Sequence, residues 1–230
     1  MPKVIFNQNP YETFLGRTDP AMTVPYTHPD FLATIVVSED SRDYLAYTFP
    51  KHPVYRVHNA VSPELFYPGT PKKRQIAYMP RKMASDANQI LAILRCRGAL
   101  ANYQVVPIEK RSEAETAAIL RESKIFLSFS MQEGSPMPPL EAMACGCIVV
   151  GYDGLGGREY LTDPWAIAVP QENVVAFARA IESVIQELAI DSTKLDAMAQ
   201  GAAAMVRELF SPAREEADVV QAWRAILENG

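Results

Sequence analysis

The 230-residue chain reads as an α/β protein built on a doubly wound parallel sheet. Three observations predict this. Short apolar runs, suited to buried parallel strands, alternate with longer stretches of helical apolar spacing. Residues 124–161 string together a strand, a Gly/Pro turn, a short helix and a second strand. The composition, 48% hydrophobic and 21% charged, is that of an ordinary globular chain, and no internal repeat or low-complexity segment interrupts it.

The stretch 124–161 organises the rest. Residues 125–129 are apolar and compact, and Gly134, Ser135 and Pro136 make a turn. Pro138 and Pro139 fit the first turn of a helix, where a missing N–H costs nothing. That helix continues over 140–145, Gly146 suits its C-terminal cap, and 147–152 form the next strand. Such a helix start offers unpaired N–H groups and a positive dipole end to an anion. Glu133 is expected in the loop before the helix and Glu141 in its first turn, where the dipole alone favours a carboxylate.

The other elements follow in order. Residues 3–8 (KVIFNQ) read as a strand, 9–27 as a loop with one helical turn, and 29–33 as a short helix. Residues 34–37 (TIVV) are a second strand. Ser38 is an N-cap for a helix over 39–48, packed by Tyr44, Leu45 and Tyr47. A third strand spans 54–57, and 58–68 (HNAVSPELFYP) read as a linker. A second unit begins near Pro71. It has a strand at 74–79, a loop at Pro80-Arg81-Lys82 and a helix at 84–97 with Ile90, Leu91 and Leu94 on one face. A strand at 103–106 and a helix at 112–121 capped by Ser112 precede the central stretch. After it come a strand at 165–169, a helix at 171–188 and a helix at 192–209 with a break near Gly201. A terminal helix runs from Ser211-Pro212 to Leu227.

Ligands bind such sheets at the carboxyl ends of the strands. Arg81 and Lys82 fall just after the 74–79 strand, on that edge. Alone they read as two solvated bases in a loop. Ile108 to Arg111 follow the 103–106 strand on the same edge, and the glycines of Asp153-Gly-Leu-Gly-Gly157, before Glu159, allow close backbone approach. His28, His52 and His58 all fall in the first segment and read as surface residues rather than catalysts. No Ser/His/Asp or Cys/His arrangement and no metal-ligand spacing is present.

The run E-G-x-P-x-P-P-L-E-A-M-A-C-G-C-x-V-V, from Glu133 to Val150, resembles the Glu-x7-Glu signature of family 4 retaining glycosyltransferases of the GT-B fold. The resemblance implies a Rossmann-like domain that binds a nucleotide-sugar donor. It places Glu133 on the donor sugar as the catalytic-side acid and Glu141 on the ribose, since a carboxylate accepts from both hydroxyls of a diol. It puts the backbone N–H groups of Gly134, Ser135 and Met137 near the sugar and phosphates, Pro136 having none to give. It sets Arg81 and Lys82 on the diphosphate, and Ile108 and Lys110 beside the base. It implies metal-independent transfer with no cofactor beyond the donor, in keeping with the lack of a D-x-D motif. Ser135 stands where the family carries a bulky aromatic, which leaves the donor sugar open, and Ala60 stands where it carries a glycine, so a different turn geometry is expected at the hinge.

The chain divides into a shortened N-terminal segment and hinge (1–68), a donor-binding domain (69–209) and a C-terminal helix (210–230) packing back toward the first segment. Only about sixty residues precede the hinge, less than a usual domain. Three functions fit: the donor-binding part of a glycosyltransferase, a non-catalytic nucleotide-sugar binding module, or an epimerase-like relative. The small first segment leaves an apolar face with Val4, Ile5, Phe6, Ile35 and Val36. That face predicts packing on a second copy or on an acceptor-binding subunit. A net charge of −5 argues against general nucleic-acid binding. Cys96, Cys145 and Cys147 fall in apparent core elements and read as reduced thiols. With no spanning apolar run and no signal peptide, the expected location is the cytoplasm, free or at the inner face of a membrane.

Overall fold

A computed structural model describes residues 1–15, 25–69 and 71–229. The loop reading over 16–24 therefore lies outside the described residues. Two parallel sheets carry the fold. Strands β1 (Lys3–Asn7), β2 (Phe31–Val36) and β3 (Val54–Arg56) form the smaller, in the order β1-β2-β3. Strands β4 (Lys73–Tyr78), β5 (Gln104–Pro107), β6 (Ser123–Glu133), β7 (Ile148–Leu155) and β8 (Ile167–Ala168) form the larger, in the order β5-β4-β6-β7-β8. The chain enters the larger sheet at β4, steps out to β5, then crosses to β6 and runs the other way. The direction reverses between β4 and β6, and a ligand crevice is expected outside the carboxyl ends of strands at such a point.

Helices α1 (Glu39–Thr48), α2 (Ala84–Cys96), α3 (Glu113–Glu122), α4 (Met137–Ala144), α5 (Val174–Ile190), α6 (Thr193–Leu209) and α7 (Pro212–Asn229) cover the sheets. Side chains alternate faces along a strand, so the larger sheet has a core on each side. Ile125, Leu127 and Phe129 of β6 pack with Ile90 and Leu94 of α2 and with Phe177 and Ile181 of α5. Phe126 and Val149 point the other way, toward Leu120 of α3, Leu140 of α4 and Val206 of α6. This is the Rossmann-like α/β arrangement expected from the sequence.

Local signals act as read at several ends. Ser38 and Ser112 cap α1 and α3, Ser112 within a reciprocal capping box with Glu115. Gly146 follows α4 at φ +76°. Its N–H donates to Met143 O and that of Cys147 to Ala142 O, which closes the helix as a Schellman turn.

Elsewhere tertiary pairing overrides local propensity. Residues 29–33 are not a helix: β2 starts at Phe31, because 31–36 pair in parallel with β1, Ala33 opposite Val4. Gly201 does not break α6, which is continuous; Ala202, Ala203 and Val206 are buried around it, and that packing outweighs a glycine cost of about 1 kcal/mol. Glu133 is not in a loop but ends β6, which after a register shift pairs with β7 as far as Leu155.

The apolar face expected to lie bare on the smaller sheet is covered on both sides. Ala33, Ile35 and Val57 pack under Ala222 and Ile226 of α7. Val36 packs with Leu45 of α1 and with Tyr26, flanked by Ile5 and Val54. Phe6 alone of the five named residues stays largely open, 56% exposed. Cys96 is exposed rather than part of the core, while Cys145 and Cys147 are buried.

Candidate functional site

The switch point between β4 and β6 collects charge. The chain leaves β4 through Met79 and Pro80 to Arg81 and Lys82, and leaves β6 at Glu133. Lys82 Nζ lies 2.9 Å from Glu133 Oε2, with the side chains 36% and 18% exposed. The ion pair is shared by two cavities. On one side Arg81, Ser130, Pro138 and Pro139 close a pocket of about 80 Å³ against α4. On the other, Asn7, Gln8, Thr13, Tyr26 and Ser135 line a cleft of about 550 Å³ between the two sheets.

Beside the cleft the backbones of the two halves approach closely. A Cβ added to Gly134 would lie 2.1 Å from Gln8 O, so only glycine permits the approach. Asn9 locks the same junction. Its Nδ2 donates to Gln132 O at 3.1 Å, and its Oδ1 accepts from Tyr11 N–H to cap the short 3₁₀ turn Pro10–Glu12. Gly156 N–H donates to Glu133 O at 3.1 Å from the other side. Tyr160, fully buried, donates its hydroxyl to Pro136 O at 2.6 Å and holds the start of α4.

That helix start is poorer in donors than the sequence suggests. The N-cap is Pro136, with no side-chain cap, and Pro138 and Pro139 occupy the next turn. Three of the positions that normally expose N–H groups have none, leaving Met137 beside Gly134 and Ser135. The dipole remains, but the positive charge facing the pocket comes from Arg81 and Lys82.

The expected site residues divide into two groups. Arg81, Lys82, Glu133, Gly134 and Ser135 come together around the two cavities. Met137 instead packs against the core cluster that holds Leu140. Glu141 is not in the first turn of α4, because the helix already begins at Met137; it sits one turn further in. Burial pushes its carboxyl up to about 7, and the negative charge of Glu113 at the start of α3 adds to this. It has no hydrogen-bond or ion-pair partner among the described residues. Ile108 is buried in the same core cluster as Leu140, and its N–H donates to Tyr78 O at 2.8 Å. Lys110 is exposed, with φ +51°. These last three line neither cavity.

Glu159 turns away from the cavities and pairs with Arg56. Of the histidines, His28 is exposed and His52 bonds Thr34 Oγ1 at 2.8 Å. His58 is buried rather than at the surface, its Nδ1 2.5 Å from Asp218 of α7. Sequence reasoning missed the wall of the cleft formed by Asn7, Gln8, Glu12, Thr13 and Tyr26. Asn7 Oδ1 and Thr13 Oγ1 are buried there with no hydrogen-bond partner among the described residues. The available signal was the polar run NQNPYET at the carboxyl end of an apolar strand.

Residues 93–204 match the family model described as Glycosyl transferases group 1. An alpha-1,6-glucosyltransferase of Actinobacillus pleuropneumoniae serotype 7 (strain AP76) is 25% identical over 191 residues, 80% of this chain and 56% of that protein. The crystal structure of Anabaena Alr3699/HepE in complex with UDP superposes with a TM-score of 0.74 at 12% identity, covering 97% of this chain and 72% of that one. Sucrose-phosphate synthase from Thermosynechococcus elongatus gives 0.64 at 16% identity, over 86% of this chain and 59% of that one. The chain thus spans little more than half the length of the glucosyltransferase and the synthase. Among the described residues no helix is long and apolar enough to cross a membrane.

Proposed function

We propose that this chain is the donor-binding part of a family 4 retaining glycosyltransferase, taking a sugar from a nucleoside diphosphate sugar. The observation that carries the reading is the Lys82–Glu133 pair at the topological switch point, with a pocket on either side. A nucleoside diphosphate placed across the carboxyl ends of β4 and β6 meets Arg81, Lys82 and the positive end of the α4 dipole. These charges stabilise the diphosphate as it leaves, so that the charge developing in the transition state meets preorganised partners. Glu133 faces the opposite cavity, where its carboxylate accepts hydrogen bonds from hydroxyls of the donor sugar. Glu141, beside α3 and the loop after β5, accepts from the ribose. The cleft against the smaller sheet then receives the acceptor, with the polar residues Asn7, Gln8 and Thr13 along its wall.

The UDP held by the Anabaena structure and the activity of the Actinobacillus relative make UDP-glucose the first donor to test. Calorimetry with UDP and UDP-glucose separates the roles. Glu133→Gln, which also frees Lys82 for the diphosphate, is expected to leave UDP binding no weaker and to weaken UDP-glucose by about 1.5–3 kcal/mol, the range for hydrogen bonds to a charged group. Equal losses for both ligands would remove Glu133 from the sugar. Retention is read from the anomeric proton couplings of the transfer product.

A further inference from the structure

α7 has two unlike faces. Asp218, Ala222 and Ile226 are buried against the linker and the smaller sheet. The outer face carries Val220, Trp223 and Leu227, which are 42%, 43% and 75% exposed. They recur at helical spacing and so form one apolar stripe rather than scattered residues. A groove of about 550 Å³ runs beside the stripe, lined by Ala213, Glu216, Ala217, Val220, Gln221 and Arg224.

We propose that this face pairs antiparallel with the same face of a second copy of the chain, about a two-fold axis passing by Val220. In such an isologous contact each residue meets one equally far from the axis on the other side. Seven residues before Val220 stands Ala213, and seven after stands Leu227. Three before stands Ala217, and three after stands Trp223. Each small side chain in the groove therefore lies level with a large apolar one from the partner copy, and symmetry makes each match twice. Four residues before the axis is Glu216 and four after is Arg224, about 6 Å along the helix either way. Neither is in an ion pair among the described residues, whereas Arg214 on the inner side already holds Asp218. The charges thus complement each other in the same register as the sizes. A partner of unrelated sequence would not require α7 to carry its own complement about one residue, and a second copy does.

The test uses the full chain. Sedimentation velocity is expected to show a reversible monomer–dimer equilibrium. Trp223→Ala should raise the dimer dissociation constant by at least ~30-fold, as for a buried aromatic anchor. Val220→Arg, which sets two cations against the axis, should leave only monomer. Glu216→Arg and Arg224→Glu should each weaken the dimer about tenfold, since each creates two like-charge pairs. The double charge swap should restore it. In a Cys96→Ser background, Val220→Cys should cross-link two chains under mild oxidation. All these positions are exposed, so unchanged circular dichroism, and unchanged melting at concentrations where the wild type is itself monomeric, are expected and separate dissociation from misfolding. A wild-type chain that stays monomeric at its highest soluble concentration would overturn the proposal. So would a dimer indifferent to Val220→Arg, or a charge swap that fails to rescue.

Discussion

Arg56 Nη2 donates to Glu159 Oε1 at 2.9 Å, joining the last strand of the smaller sheet to the turn after β7 in the larger. The side chains are 16% and 22% exposed, and Arg56 also reaches Glu39 at the start of α1. Burial raises the Glu159 carboxyl above its ordinary range, and the guanidinium draws it back. The pair is therefore a partly dry clamp between the halves that form the cleft. Arg56→Met should cost about 3 kcal/mol in urea unfolding, the low end for breaking such a pair, because Glu159 is left buried without its cation. Arg56→Met with Glu159→Leu should recover part of that loss, since no charge then remains buried. A double variant less stable than the single one would show that the clamp is worth more than its desolvation.

Gly134→Ala should narrow or distort the cleft, since its Cβ would meet Gln8 O at 2.1 Å. Backbone on both sides gives little room to yield, and forced contacts of this kind cost about 1–3 kcal/mol. A lowered melting temperature together with loss of acceptor-side activity is the expected outcome. A variant of unchanged melting would show that the two halves separate freely.

Glu141 makes stability depend on pH. Its carboxyl is raised from 4.5 to about 7 by burial and Glu113. Between those values the folded state holds a proton that the unfolded state has lost, so stability falls as pH rises across the window. Glu141→Gln should match the wild type near pH 4 and exceed it by about 3 kcal/mol at pH 8, one pKa unit corresponding to ~1.4 kcal/mol. If the ionised carboxylate accepts from the ribose, UDP affinity should rise through about pH 7 in the wild type and stay flat in the variant. The same pH profile in both proteins would place the ribose elsewhere.

Arg81→Ala and Lys82→Ala should each weaken UDP by about 1.5 kcal/mol and UMP by less, because the second phosphate makes the larger claim on their charge. Both effects should shrink as salt rises, as expected for partly exposed charges. Lys82→Ala also releases Glu133, so it alone should change the preference between UDP and UDP-glucose. A loss that does not depend on phosphate number would assign the two bases to folding.

Much of this molecule is legible residue by residue. The apolar run at 125–129 reads as the central strand, Gly146 as a helix stop, and Ser112 as a helix start, because each signal acts within one turn or one pleat. The Glu133–Val150 run also points to the edge of the sheet that carries the candidate site. The mistakes share a cause. Residues 29–33 become strand through pairing with β1, and Glu133 stays in strand through pairing with β7. Both pairings join residues far apart along the chain, and local propensity carries no record of them.

The order of elements, the parallel sheet and the charged residues at its edge are determined by the sequence, through periodicity, turn chemistry and short motifs. Tertiary structure alone decides that Asn7 and Thr13 face Glu133 across a cleft, that His58 meets Asp218, and that α7 covers a sheet made from the first residues of the chain. Those contacts follow from burying two incomplete apolar faces against each other. That outcome depends on the shape of the whole chain rather than on any stretch of it.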